Sequence, residues 1–445
     1  VIFVGILDEW QKMEAGLPDS VTRVAFPYPD PMPPAKLRWD KLAQSSRERV
    51  AYKPNVDELA TLIYTSGTTG QPKGVMHSHR TIAEAAMGYQ ESFGFNSSDR
   101  FFSYLPLSHV AERVLVEMGS FYSGATINFA ESLDTFAQNL REVRPTAFFS
   151  VPRLWKKFQQ GVFEKMPEQK LDRLLRIPVL SSLVKLKIRK GLGLDAARSI
   201  GSGAAPIAPS LQQWYKKLGI DILEGYGLTE TFGYATSNRG GNNKLGTVGT
   251  AHPGTVLTID EQGEIYIKND SAMLGYYKDP EASAQVLYRG GIRTGDRGAI
   301  DKDGHLKITG RTKEIFKTDC GKYVAPAPIE QHFVADNAYI EQICVTGSSL
   351  KNPVALCVLT EFARKQPQVV VLKEFSASLQ RLNKNLEKHE RIGHCILIEG
   401  DWTVDMGIMT PTLKVRRHQV DQHYQGLISK AIQSPDKVLY ESQLS

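Results

Sequence analysis

The segment Tyr64-Thr65-Ser66-Gly67-Thr68-Thr69-Gly70-Gln71-Pro72-Lys73-Gly74-Val75 constrains this chain more than any other stretch. It follows a short apolar run at residues 59–64 and precedes Ser78, a residue suited to cap a helix reaching roughly Tyr89. That order predicts a strand, a loop and a helix. Gly67, Gly70 and Gly74 let the backbone approach an anion closely and take positive φ. Thr65, Ser66, Thr68 and Thr69 add hydroxyl donors, and Lys73 adds a cation. Together these groups suit a polyphosphate. The spacing excludes a Walker A loop, which needs its lysine between a glycine and a serine or threonine, because Lys73 stands between Pro72 and Gly74.

The rest of the chain alternates element types. Residues 101–105 and 146–151 read as further buried strands separated by helical patterns, which points to an α/β architecture. Residues 246–310 change to short alternating strands with glycine and Asp303-Gly304 turns, a β-subdomain. Beyond Arg311 the pattern mixes strands at 343–346 and 354–359 with a helix over 375–386, a small α+β region. A chain of 445 residues exceeds one compact core. The expected division is therefore 1–312 and 313–445. Residues 27–34 are proline-dense and read as an extended surface connection, while residues 1–7 read as a buried strand.

Several segments, taken in order, carry a resemblance. Ser202-Gly203-Ala204-Ala205-Pro206, Glu224-Gly225-Tyr226-Gly227-Leu228-Thr229-Glu230, Arg293-Thr294-Gly295-Asp296, Gly310-Arg311-Thr312-Lys313-Glu314 and Thr410-Pro411-Thr412-Leu413-Lys414-Val415-Arg416-Arg417 follow the loop at residues 64–75. The set resembles the adenylate-forming superfamily, which includes acyl-CoA synthetases, luciferases and peptide-synthetase adenylation domains. Residues 105–113, 151–155 and 322–326, with the Thr-Pro-Thr form before Lys414, are more similar to long-chain fatty acyl-CoA synthetases. The resemblance implies a large α/β domain with a β-subdomain and a small mobile C-terminal domain. It implies activation of a fatty acid to acyl-AMP, then transfer to coenzyme A.

The same resemblance assigns roles. Thr65, Ser66, Gly67, Thr68, Thr69, Gly70 and Lys73 would hold ATP phosphates, with Gly203, Ala204, Glu224, Gly225, Tyr226, Gly227, Asp296 and Arg311 around the nucleoside. Tyr226 offers an aromatic face for adenine, its bland alternative being a core aromatic. Thr229 would donate to the α-phosphate. Glu230, with Thr65, would serve Mg²⁺, which uses one or two carboxylates together with substrate phosphates. Asp296 would accept from ribose hydroxyls, although aspartate in a Thr-Gly-Asp turn also serves turn chemistry alone. Lys414 would stabilise the charge that develops as a carboxylate attacks the α-phosphate. Lys313 would be the hinge on which the small domain turns. His109 reads equally as a residue at the acyl or phosphate entrance and as a hydrogen-bonded structural histidine.

Composition bounds the remaining classes. A net charge of +6 is too small to argue for nucleic acid. Cys320, Cys344, Cys357 and Cys395 form no CxxC pair, which fits reduced thiols in a cytoplasmic protein. No apolar run is long enough to span a membrane. Residues 171–190, interrupted at Pro178, combine leucines with bases and read either as a helical excursion on the core or as a membrane-surface element. A peripheral attachment to the inner membrane surface and a homodimer stay open. Departures from the family pattern are Asp319-Cys320 before Gly321, Arg297 after Asp296, and Lys268-Asn269-Asp270. Residues 1–10 resemble an internal strand, so a front portion of the large domain is expected to be missing. Two alternatives stand beside the ligase reading: a fatty acyl-AMP ligase that loads a carrier protein, and an inactive truncated nucleotide-binding protein.

Overall fold

The computed structural model describes residues 1–4, 13–27, 35–44, 52–65, 72–410 and 414–444. Residues 1–54 form one compact unit and residues 55–445 another. The first holds three short parallel strands, Ile2–Val4, Arg23–Ala25 and Leu37–Arg38. Val4, Val24 and Ala25 are buried, but Phe3 is half exposed and stacks on Phe26 with Trp39 at its edge. Only part of the strand expected at residues 1–7 is therefore buried. Residues 5–7 lie outside the described residues, as does most of the connection expected at 27–34.

The second unit is built on a seven-stranded sheet. Its strands run in the order Thr250–Ala251, Thr236–Ser237, Leu223–Tyr226, Ser199–Ser202, Ala147–Ser150, Arg100–Ser103 and Thr126–Phe129. The last five are mutually parallel, and the first two extend them antiparallel. Parallel strands buried on both faces need apolar side chains throughout, which Phe101, Phe102, Phe148 and Ile200 supply. The helices Pro152–Lys165 and Pro209–Lys217 each start with proline in the first turn, where its missing N–H costs nothing. They bury Trp155 and Tyr215 against this sheet, and the Tyr215 hydroxyl donates to the Trp155 carbonyl at 2.6 Å. Truncating Trp155 to alanine would cost about 3–5 kcal/mol.

The loop at residues 64–75 does not lead straight into a helix. Leu59–Thr65 pairs antiparallel with Lys73–Ser78, and only then does the chain enter the helix His79–Phe93. The segments on either side of the loop are the two strands of a hairpin. Tertiary pairing decides this: Lys73–Ser78 lies between Leu59–Thr65 and Gly275–Tyr276, and its Val75 packs under Met273, Tyr276 and Ile292. The cap is where the sequence places it, with the Ser78 hydroxyl accepting from Thr81 N at 3.2 Å.

Residues 256–311 form an antiparallel sheet of Val256–Ile259, Glu264–Lys268, Gly291–Ile300, Leu287–Tyr288 and Leu306–Arg311. Asp296 is not in a turn. It lies inside the strand Gly291–Ile300 and pairs in register with Arg311, while Gly295 beside it takes φ +70°. A last sheet orders Ile340–Thr346, Val354–Leu359, His394–Ile398 and Val438–Tyr440. Helices Pro326–Asp336 and Gln368–Lys384 cover one face and Arg417–Ala431 the other. The helix expected over 375–386 begins earlier, at Gln368, because Val371 joins Phe375 and Leu379 on its buried face. Cys344, Cys357 and Cys395 are free thiols in this core, and Cys320 is an exposed free thiol.

Candidate active site

The carboxyl ends of parallel strands are where α/β sheets bind ligands. Tyr226 sits at such an end. Its hydroxyl donates to Asp296 Oδ2 at 2.7 Å, and Arg311 Nε donates to Asp296 Oδ1 at 2.8 Å. Burial, helped by the Asp296 charge, pushes the Tyr226 phenol well above its ordinary value and keeps it a donor. Burial opposes the charge on Arg311, but Asp296 and Glu314 outweigh it, so that guanidinium is held more firmly cationic. Three residues far apart in sequence thus meet at one corner.

The glycines beside Tyr226 answer to close packing. A Cβ on Gly227 would lie 2.0 Å from the Gly233 carbonyl, and one on Gly203 would press on the Phe149 ring at 3.2 Å. Ala204 takes φ +65°, an unusual conformation for a residue with a Cβ. Gly225 faces the Thr236 carbonyl. Glu224 points away from solvent: its Oε1 accepts from Ile207 N at 3.1 Å, and burial pushes it up to about 8. It therefore braces the backbone after Ala204.

A second cluster joins the phosphate-loop flanks to Thr229 and Glu230, which lie in the short 3₁₀ turn Thr229–Thr231. The Tyr276 hydroxyl donates to Glu230 Oε1 at 2.6 Å, and Lys73 Nζ lies 5.0 Å from the centre of the Tyr276 ring. His77 Nε2 bonds the Thr229 carbonyl at 2.7 Å, and burial pushes His77 down to about 4. Neutral His77 therefore donates to that carbonyl. Thr65 pairs in register with Lys73. Ser66, Gly67, Thr68, Thr69 and Gly70 lie outside the described residues.

Lys414 approaches from the C-terminal region. Its N–H donates to Thr410 Oγ1 at 3.0 Å, and Thr410 N donates to the Lys414 carbonyl at 2.8 Å. Arg417 anchors the segment through Glu330 at 2.6 Å and the Val345 carbonyl at 2.8 Å. Lys414 remains open to solvent at the mouth of a crevice crowded by protein. That crowding, then the charge of Arg311, pushes it below the ordinary lysine value, against the pull of Asp296, Glu230 and Glu314. His109 is lowered by burial and by Lys414. Lys313 occupies an exposed turn whose preceding residue, Thr312, donates its N–H to the Gly295 carbonyl at 2.8 Å.

An apolar cavity of about 120 Å³, open to solvent, adjoins this crevice. Phe93, Phe95, Phe101, Val110 and Val114 line its greasy part, and Gly203, Ala204, Tyr226 and Gly227 line its polar end together with His109. One wall is the seven-residue π-helix Glu112–Met118 with the turn before it, an element found frequently at functional sites.

Residues 5–277 match the AMP-binding enzyme family, and residues 315–435 match the AMP-binding enzyme C-terminal domain. The chain belongs to the AMP-binding enzymes. It is 30% identical over 412 residues to the long-chain-fatty-acid–CoA ligase FadD15 of Mycobacterium bovis, covering 82% of this chain and 68% of that protein. It is also 30% identical over 442 residues to the peroxisomal long chain acyl-CoA synthetase 7 of Arabidopsis thaliana, covering 85% and 61%. The chain thus spans about two thirds of the length of these curated relatives. Its fold superposes on the A domain of a carboxylic acid reductase from Segniliparus rugosus, in complex with AMP and a co-purified carboxylic acid. The TM-score is 0.73 at 25% identity, covering 92% of this chain and 70% of that one.

Within this AMP-binding enzyme, reading the sequence missed three groups. Tyr276 and His77 hold Glu230 and Thr229, and Lys156 Nζ donates to the Val334 and Ile340 carbonyls at 3.2 and 3.3 Å. His77 alone left a trace, a histidine directly after the apolar pair Val75 and Met76. Among the described residues no three His, Cys, Asp or Glu side chains converge as a preformed metal cage. A single carboxylate beside a phosphate loop fits Mg²⁺, which takes its other ligands from phosphates and water.

Proposed function

We propose that this protein is an acid–thiol ligase that activates a long-chain fatty acid with ATP and passes the acyl group to coenzyme A. One observation carries the reading: the cavity is aromatic and aliphatic along one part and bounded by Gly203, Ala204 and Tyr226 at the other. An acyl chain in the greasy part would bring its carboxylate to the strand end where the nucleotide corner begins.

In this reading Tyr226, Asp296 and Arg311 hold the nucleoside, Gly203, Ala204, Gly225 and Gly227 let it approach the backbone, and Glu224 braces them. Thr65, Ser66, Gly67, Thr68, Thr69, Gly70 and Lys73 grip the phosphates, and Thr229 donates to the α-phosphate. Glu230, steadied by Tyr276, would hold Mg²⁺ together with Thr65. When bound there, the metal neutralises phosphate charge. A carboxylate oxygen attacks the α-phosphorus, the bond to the bridging oxygen breaks, and pyrophosphate leaves. Lys414 offsets the negative charge that gathers there. The region 313–445 then turns about Lys313 relative to 1–312, withdrawing Lys414. The coenzyme A sulfur attacks the acyl carbonyl, its proton passes to solvent, and AMP leaves.

The likeness to carboxylic acid reductase A domains favours a second reading, in which a carrier-bound thiol replaces coenzyme A. Palmitate, ATP and Mg²⁺ are supplied with either free coenzyme A or a phosphopantetheinyl carrier. Thioester on coenzyme A supports the first reading. AMP release with thioester only on the carrier supports the second, and neither AMP nor pyrophosphate exchange would refute both.

A further inference from the structure

We propose that the helix Pro178–Gly191 is a docking element for an anionic lipid surface. This helix has two apolar faces where one would suffice. Ser181 is buried, and Val184 and Ile188 pack on the core of the large sheet. The opposite face carries Val179, Leu183 and Leu186, which are 75%, 60% and 46% exposed. With Lys190 they recur at intervals of four, three and four, one stripe along a helix. Ile177 and Leu180, near its amino end, are exposed as well. Solvent alone gives no reason to keep leucines there, and contiguous exposed apolar side chains mark interaction surfaces.

The charge pattern selects the partner. Between Asp172 and Asp195 there is no acidic residue, while Arg173, Arg176, Lys185, Lys187, Arg189 and Lys190 are all basic. Arg189 is engaged with the Asp195 carbonyl, and Asp172 faces Lys217 at 3.5 Å. Lys187 and Lys190 lie on the exposed side of the helix, Lys190 in line with the leucine stripe and Lys187 beside it. A protein groove would ask for shaped pockets and mixed charge. Leucines framed by cations alone match acyl chains beneath anionic headgroups. Lying in the interface, the helix would sink its stripe about 5–10 Å, with the lysines reaching up to the phosphates. Among the described residues no helix is long and apolar enough to cross a membrane.

This inference does not depend on the ligase reading, and its test needs no catalysis. The whole chain is co-sedimented with vesicles of equal parts phosphatidylglycerol and phosphatidylcholine, and with vesicles of phosphatidylcholine alone. Binding to the anionic vesicles should be at least about tenfold stronger and should weaken with salt. Lys187→Gln with Lys190→Gln should weaken it about tenfold or more, and Leu183→Gln with Leu186→Gln by a similar factor, with unchanged melting temperatures. Equal binding to both vesicle types, or variants that bind as well as the parent, would overturn the proposal. A dimer in lipid-free solution that the leucine variant dissolves would also overturn it, since a second copy would then be the occupant.

Discussion

Two parts of the candidate site are built differently. In one, Tyr226, Asp296 and Arg311 are locked to each other by hydrogen bonds of 2.7 and 2.8 Å across two sheets, with Asp296 buried. In the other, among the described residues, Lys414 is tied to Thr410 through its backbone, while its side chain stays open to solvent. A group that recognises a nucleotide gains from being fixed before the ligand arrives. A group that must serve one step and leave before the next gains from being movable. In the proposed reaction, recognition falls to the fixed groups and charge stabilisation to the loosely held one.

Breaking the rigid part should have the largest effect of the substitutions outside Lys414. Asp296→Ala removes the common acceptor of Tyr226 and Arg311, and ATP affinity measured by calorimetry should fall about a hundredfold, or roughly 2.7 kcal/mol. An unchanged affinity would detach that corner from nucleotide binding.

The supporting histidine gives a pH prediction. The folded state holds His77 near 4, below the ordinary value of 6.5, so folding favours the neutral ring. Its contribution is complete above pH 6.5 and is lost as pH falls through about 4, at roughly 1.4 kcal/mol per unit. The melting temperature should drop over that window, and His77→Gln should flatten the drop.

Smaller effects sharpen the contrast. Tyr276→Phe leaves Glu230 without its donor and should raise the Mg²⁺ requirement of the exchange reaction about five- to tenfold, a loss of about 1–1.5 kcal/mol. Arg153 forms a partly exposed ion pair with Glu341 of the C-terminal region. Arg153→Ala should change the ratio of adenylation to thioester formation less than about fivefold, since such pairs contribute about 1 kcal/mol or less.

Local chemistry made some of this legible and tertiary pairing hid the rest. The Ser78 cap and the strand Val354–Leu359 could be read because hydroxyl capping and an unbroken apolar run act over a few residues. The return strand Lys73–Ser78 could not: one partner, Leu59–Thr65, is local, but the strand on its other edge, Gly275–Tyr276, lies two hundred residues away. Asp296 was legible as a residue but not as a strand position, since its register is set by Arg311. Tyr276 carries no local signature at all. Its importance exists only once the chain places its hydroxyl against Glu230.

The separation of recognition from chemistry is tested most directly by splitting the two half-reactions in Lys414→Ala. Fatty-acid-dependent exchange of pyrophosphate into ATP should fall by about a hundred- to a thousandfold, the usual scale for losing one stabilising charge. Thioester formation from supplied acyl-adenylate and coenzyme A should persist near the parent rate. Undiminished exchange, or equal loss of both half-reactions, would contradict the account.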